Sequence, residues 1–187
     1  MDPDYRLVEK ARQGKRQAFG KLIRKYQDKV LYLVFDIVGN YEDARDVAQE
    51  VFVKVFDKLN TFEQRANFSS WLYRIAVNLS IDFARKKERH SDYSIDINSQ
   101  EQNIEKNIST IQSNKPENIL ENKEMSNQID SAIKNLSDNQ RIAVVLRYYH
   151  EMKIKLIAQV MECNENTVRV HLFRAMQKLS QDLVGLQ

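Results

Sequence analysis

Ala44, Val47, Ala48, Val51, Phe52, Val55, Phe56 and Leu59 recur at i, i+3, i+4 without a break. On a backbone that turns every 3.6 residues this spacing lines one face of a helix, and it cannot line one face of a strand. Such a stripe has to be covered by a second apolar surface, so the segment predicts a packed helical unit. Four Gly and two Pro in 187 residues leave too little turn chemistry for a sheet. The chain is read as all-α.

Before this helix, Leu22, Ile23, Tyr26, Val30, Leu33, Val34 and Ile37 keep helical spacing up to a stop at Gly39-Asn40, and Asn40 to Asp43 supply capping chemistry for the stripe. Residues 60–67 break the period. A third helix is predicted from Ser69 or Ser70 under a serine cap. Phe68 and Tyr73 would form a hydrophobic staple at its start, and Leu72, Ile75, Ala76, Leu79 and Phe83 carry it to Arg85-Lys-Lys87. Residues 91–118 are rich in Ser, Asn and acid and read as a flexible linker. Beyond it, helical patterning returns from about Ile119, and Ser137-Asp-Asn-Gln140 is a capping box opening a helix through Tyr149. Shorter helices follow near 153–161 and 165–182. The expected architecture is two small helical domains, 1–90 and 119–187, joined by the linker, the second containing a helix-turn-helix.

Net charge is +3, distributed as +5 over residues 1–90, −3 over 91–118 and +1 over 119–187. A basic first domain suits contact with phosphates, whereas the last domain has a weak electrostatic footprint for DNA. The longest apolar run, Val30–Phe35, is too short to span a bilayer, and the N-terminus lacks the plan of a secretion signal. No membrane insertion and a cytoplasmic location are expected. Cys163 is alone, which excludes an intrachain disulfide or a multi-cysteine metal cage. Asp43, Asp46 and Glu50 share a helix face, but carboxylates on one rigid helix wrap a hard cation poorly, and no His or loop ligand lies near. No metal, cofactor or phosphate-cradling Gly loop is expected, and no Ser or Cys nucleophile has a base.

Two constellations invite a functional reading. Opposite the apolar stripe lie Asp46, Gln49, Glu50, Val53 and Asp57, a pattern that fits either a solvated polar face or a protein contact in which directional groups ring an apolar centre. Trp71, Arg74, Asn78 and Arg85, with Lys86 beside them, form a mixed aromatic and basic face. That face fits either a core Trp with ordinary surface charges or a surface where cations hold phosphates and flat groups trap unstacked bases.

The segments Asp43–Phe52 and Phe68–Asn78, followed by Asp82 and Arg85-Lys86, resemble the clamp-binding and promoter-melting helices of the extracytoplasmic-function sigma factors of bacterial RNA polymerase. The resemblance covers most of the chain outside 91–118. It implies a non-enzymatic initiation factor that binds core polymerase, with Asp46, Gln49, Glu50 and Val53 docking on the β′ clamp. By the same resemblance Phe62, Arg65, Asn67, Trp71, Arg74, Asn78, Arg85 and Lys86 would contact the −10 element, residues 61–67 forming a loop that holds a flipped base of the single-stranded non-template strand. It also implies contact of the last domain with the β flap and −35 DNA, an anti-sigma partner, and a linker that either tethers passively or imitates nucleic acid in the polymerase cleft.

In the last domain Ile157-Ala158-x-x-Met161 and Cys163-x-x-x-x-Val168 fit the helix-turn-helix template, Asn164 caps the second helix, and Val168, Leu172, Ala175 and Leu179 bury one side. Cys163 falls on an apolar turn position and reads as a buried core thiol. Arg169, His171, Phe173, Arg174 and Lys178 are the candidate −35 residues. Two departures from the family pattern stand out. Glu162 occupies a turn position that usually carries Gly, where a left-handed backbone is costly and a reshaped turn is expected. Val170 and Phe173 replace polar readers. Weak −35 specificity follows, supplemented by the −10 loop or by an additional targeting protein docking on Phe173. Two other readings remain open: a helix-turn-helix regulator that never joins polymerase, and a helical adaptor that binds only proteins.

Overall fold

The computed structural model describes residues 3–63, 67–93, 128–129 and 131–183. Its elements are α1 (Tyr5–Arg12), α2 (Arg16–Val38), α3 (Tyr41–Lys58), a 3₁₀ turn (Leu59–Thr61), α4 (Phe68–Tyr93), α5 (Asp138–Val144) running into a π turn (Val145–Tyr149), α6 (Ile154–Val160) and α7 (Glu165–Leu183). No strand occurs among the described residues. The linker residues 94–118, the segment just after them and Arg65 lie outside the described residues.

Gly39 ends α2 in the left-handed conformation, φ 81°, with its N–H bonded to Phe35 O, the conformation in which lack of a Cβ matters most. Asn40 then caps α3 by accepting the Asp43 N–H at 3.0 Å. The α1 helix is tied down by the buried Asp4 carboxylate, which accepts from Lys25 Nζ and Tyr26 Oη of α2. Burial, and then the nearby Asp4 charge, push the Tyr73 hydroxyl above the usual tyrosine pKa.

The expected serine cap of α4 is absent. The helix begins at Phe68, and Ser70 Oγ donates back to the Asn67 carbonyl at 2.8 Å from inside the first turn. The reason is aromatic packing: Phe68 is buried against Tyr26, Phe62 and Trp71, with ring centroids 5.8, 5.9 and 5.9 Å away, and Phe62 lies 5.1 Å from Trp71. Rather than stapling from outside, Phe68 is inside the helix, and Tyr73 packs with it on the same Tyr26 ring. The far end of α4 also outruns expectation, continuing three residues into the segment assigned to the linker.

In the C-terminal half the capping box is present, the Ser137 N–H donating to Gln140 Oε1 at 3.3 Å. The helix it opens does not stay α-helical to Tyr149. It widens into the π turn, closed by His150 N–H to Val145 O (3.1 Å) and Met152 N–H to Leu146 O (2.9 Å). The widened turn sets His150 Nε2 2.9 Å from Asp36 Oδ2 on α2. Between α6 and α7, Glu162 takes φ 51°, so the turn keeps its left-handed form despite lacking Gly and was not reshaped. Cys163 N–H to Ala158 O (3.0 Å) closes this turn, and Asn164 Oδ1 accepts the Thr167 N–H at 2.8 Å as the cap of α7. Cys163 is only partly buried, and the desolvation it does feel raises its thiol pKa.

The two halves pack together, which the sequence did not predict. The α6 helix lies on α4 and the π turn on α2. Ile142, Val145, Leu146, Met152, Ile157, Ala158, Val160 and Val168 join the apolar cluster that holds α1 to α4. A second, smaller cluster of Ala132, Ile133, Leu136, Val144, Ala175 and Leu179 holds the C-terminal module itself. Across the junction Arg74 pairs with Glu162, and Arg85 pairs with Asp138 at 2.7 Å.

Two substitutions test this packing. Trp71→Ala should lower the unfolding free energy by about 3–5 kcal/mol in urea denaturation, the cost of emptying an aromatic core site; an exposed tryptophan would cost a small fraction of that. Glu162→Gly should stay within about 1 kcal/mol of the parent, because relief of the left-handed Cβ penalty offsets loss of a solvent-exposed pair. A loss of several kcal/mol would mean the Arg74 contact is a principal clamp between the modules.

Candidate functional site

The outward face of α3 is built by exclusion. With Ala44, Val47, Ala48, Val51 and Val55 buried, Asp46, Gln49 and Glu50 are exposed around Val53, itself 61% exposed. One member of the predicted core stripe fails to reach the core. Phe56 is 56% exposed, its ring set edge-on against Phe19 with centroids 5.1 Å apart. It stands one turn after Val53 on the margin of the same face, so the surface has two apolar side chains ringed by carboxylates and an amide. Sequence reasoning counted Phe56 as core because a wide stripe gives no mark of where its edge leaves the partner helix. Lys87 Nζ holds Asp43 at 2.6 Å, fixing the end of α4 against the start of α3.

On α4 the structure divides the expected −10 set. Phe62 and Trp71 are 5% and 9% exposed; Phe62 lies against Trp71, so in this packing the two rings offer no open face to a base. Their burial answers to the core-Trp alternative. Asn67, Asn78, Arg85 and Lys86 are exposed and Arg74 is half-buried. The Arg74 and Arg85 guanidinium groups are occupied by Glu162 and Asp138 of the C-terminal module. An ion pair of this kind places a carboxylate where a phosphate oxygen would sit.

Of the −35 candidates, Arg169 is bonded to Asn166 Oδ1 (2.9 Å) and Glu165 Oε2 (3.1 Å), and Lys178 donates to the Asn135 carbonyl. His171 is half-buried, and Arg174 is exposed. Phe173 is 63% and Val170 45% exposed. Among the described residues no group of three or more His, Cys, Asp or Glu is arranged to hold a metal, and no helix is long and apolar enough to cross a membrane.

The chain matches the family models for sigma-70 region 2 over residues 22–90 and sigma-70 region 4 over residues 126–179. It is 32% identical over 181 residues to the ECF RNA polymerase sigma factor SigW of Bacillus subtilis, with 96% of each chain covered. To the ECF RNA polymerase sigma-E factor of Escherichia coli K12 it is 33% identical over 184 residues, covering 98% of this chain and 95% of that one. In fold it is similar to CnrH solved in complex with the cytosolic domain of CnrY, with TM-score 0.71, 22% identity and full coverage of both chains. It is also similar to the sigma factor RpoE bound to the anti-sigma factor NepR from Bartonella quintana, with TM-score 0.65, 20% identity and coverage of 90% and 98%. With two relatives above 30% identity along nearly its whole length, the chain belongs to the extracytoplasmic-function sigma factors, which bind RNA polymerase and direct promoter-specific initiation without being enzymes.

Proposed function

We propose that the N-terminal module, residues 1–90, docks on the β′ clamp through the outward face of α3 and opens the −10 region along α4, while the C-terminal module, residues 119–187, contacts the β flap and −35 DNA. The observation that carries this reading is the exposed Val53–Phe56 pair on α3 inside a ring of Asp46, Gln49 and Glu50. A solvated face has no reason to keep two large apolar groups in water, whereas an apolar centre with a polar rim is the anatomy of a docking surface. A helix-turn-helix regulator that ignores polymerase, or an adaptor that binds only proteins, leaves this face or the basic side of α4 unexplained. The site of action is the cytoplasm, where the polymerase works. An anti-sigma factor is a further proposed partner, supported by the fold neighbours solved with CnrY and NepR. The linker, 91–118, serves either as a tether or as an acidic mimic of nucleic acid.

On α4, Asn78, Arg85, Lys86 and Arg74 supply the phosphate-facing side, Asn67 stands exposed just before the helix, and Arg65 is proposed to act with them. For Arg74 to meet DNA its contact with Glu162 must be given up.

Asp46→Ala with Gln49→Ala is expected to weaken retention of core polymerase in pull-down by tenfold or more in Kd, about 1.4 kcal/mol or greater. Circular dichroism and thermal stability should be unchanged, because both side chains are exposed. Full retention by the folded double mutant would remove the clamp assignment. Arg74→Ala should reduce open-complex formation on duplex promoters, read by permanganate footprinting, more than on templates already unpaired at −10, since a premelted template needs no bases drawn from the stack. Equal loss on both templates would assign Arg74 to docking instead.

A further inference from the structure

We infer that α7 reads its DNA through apolar contacts of Val170 and Phe173 with thymine methyl groups in the major groove, making these two residues the specificity determinants of the C-terminal module. The inference rests on the proposed −35 role and names the chemistry of that contact.

Four observations converge on it. Asn164 caps α7, so Val170 and Phe173 lie in its N-terminal half, the part of a second helix in a helix-turn-helix that meets base edges. Val168, Ala175 and Leu179 are buried on the other side, which turns Val170 and Phe173 outward. In the first turn and a half of α7, Arg169, Glu165 and Asn166 are bonded to one another, Arg169 spanning the other two. Arg174 stands next to Phe173 on α7, and the same module exposes Lys153 and Lys155 at the start of α6, cations that can take phosphates.

The groove offers one apolar feature that distinguishes a base, the C5-methyl of thymine; every other edge is read by hydrogen bonds that Val and Phe cannot make. Val170 and Phe173 are separated by about 4.5 Å along the helix axis, close to the roughly 3.4 Å between successive base pairs, so each can meet its own step. A protein partner is the weaker fit. The exposed stripe of Val170, Phe173 and Met176 stands beside Asn166, Arg174 and Gln177 rather than among carboxylates, a setting that does not repel phosphates as the rim of the α3 face does.

The test uses holoenzyme reconstituted from core polymerase and the full chain. Duplexes with a fixed −10 element and a randomised upstream segment are selected for retention, and the recovered sites are remade with deoxyuridine in place of individual thymidines, which removes only the methyl. Expected is enrichment of thymine at one or two upstream positions and a loss of about three- to fivefold in affinity for each methyl removed, the scale of one buried methyl group. Phe173→Ala and Val170→Ala, at exposed positions where folding is little affected, should abolish the difference between thymine and uracil while leaving the salt dependence unchanged, because no phosphate contact is lost.

Retained sites without thymine enrichment would overturn the inference, as would wild-type holoenzyme blind to uracil. So would selection unaltered by Phe173→Ala, the outcome expected if Phe173 instead serves a targeting protein absent from the reaction. In these cases transcripts still start at the fixed promoter and the initiation reading stands. If the wild-type chain forms no holoenzyme, the initiation reading falls and this inference with it.

Discussion

The structure depends on how much of α4 must leave water. Phe68, Trp71, Leu72, Tyr73, Ala76, Val77, Leu79 and Ser80 are all buried, and at 100° per residue they cover more than half the circumference of the helix. No single partner helix can cover that arc, because a helix pair shares only one ridge of side chains. The α4 helix therefore packs against α2 and α3 and also receives α6. Each large side chain buried along it contributes on the order of 1.5–3 kcal/mol. The aromatic group of Tyr26, Phe62, Phe68, Trp71 and Tyr73 joins the middle of α2 to the start of α4 and the residue that leads into it from the 3₁₀ turn.

This arrangement separates what holds the modules together from what orients them. The pairs Arg74–Glu162 and Arg85–Asp138 involve partly exposed groups, and such pairs contribute at most about 1 kcal/mol each. His150 and Asp36 are more enclosed, and their contact exists only because the π turn widens the end of α5. The apolar contact of α6 with α4 supplies the attraction, while the charged groups fix the register.

The outward surfaces tell a parallel story. On α3 the exposed apolar pair stands among carboxylates, whereas on α7 it stands among amides and cations. The same physical anomaly, large apolar groups left in water, thus occurs in two electrostatic settings. The acidic setting repels phosphates and suits a basic protein surface; the basic one attracts nucleic acid. Glu162 contributes to this division. Its strained backbone keeps the turn geometry that aims α7, and its carboxylate reaches Arg74 rather than lying beside the exposed stripe.

Helix positions were legible in the sequence wherever the signal was local. The stop at Gly39, the Asn40 and Asn164 caps, the Ser137–Gln140 box and the stripes of α3 and α7 each involve residues within a turn of one another, and a turn is the range over which backbone geometry dictates contact. The family was legible for a similar reason, since its motifs are short runs on single helices. Three things required the tertiary fold. Trp71 and Phe62 share their residue types with base-stacking groups, and only the return of the loop across α4 buries them. Phe56 has the right spacing for the core, but the position of α2 leaves it half outside. The docking of the two modules joins residues far apart in the chain, such as Asp36 with His150 and Arg74 with Glu162, and no periodicity in a sequence records a contact made across a linker. Local rules therefore determined the helices and the family, while burial around α4 decided which of their exposed groups are free to bind.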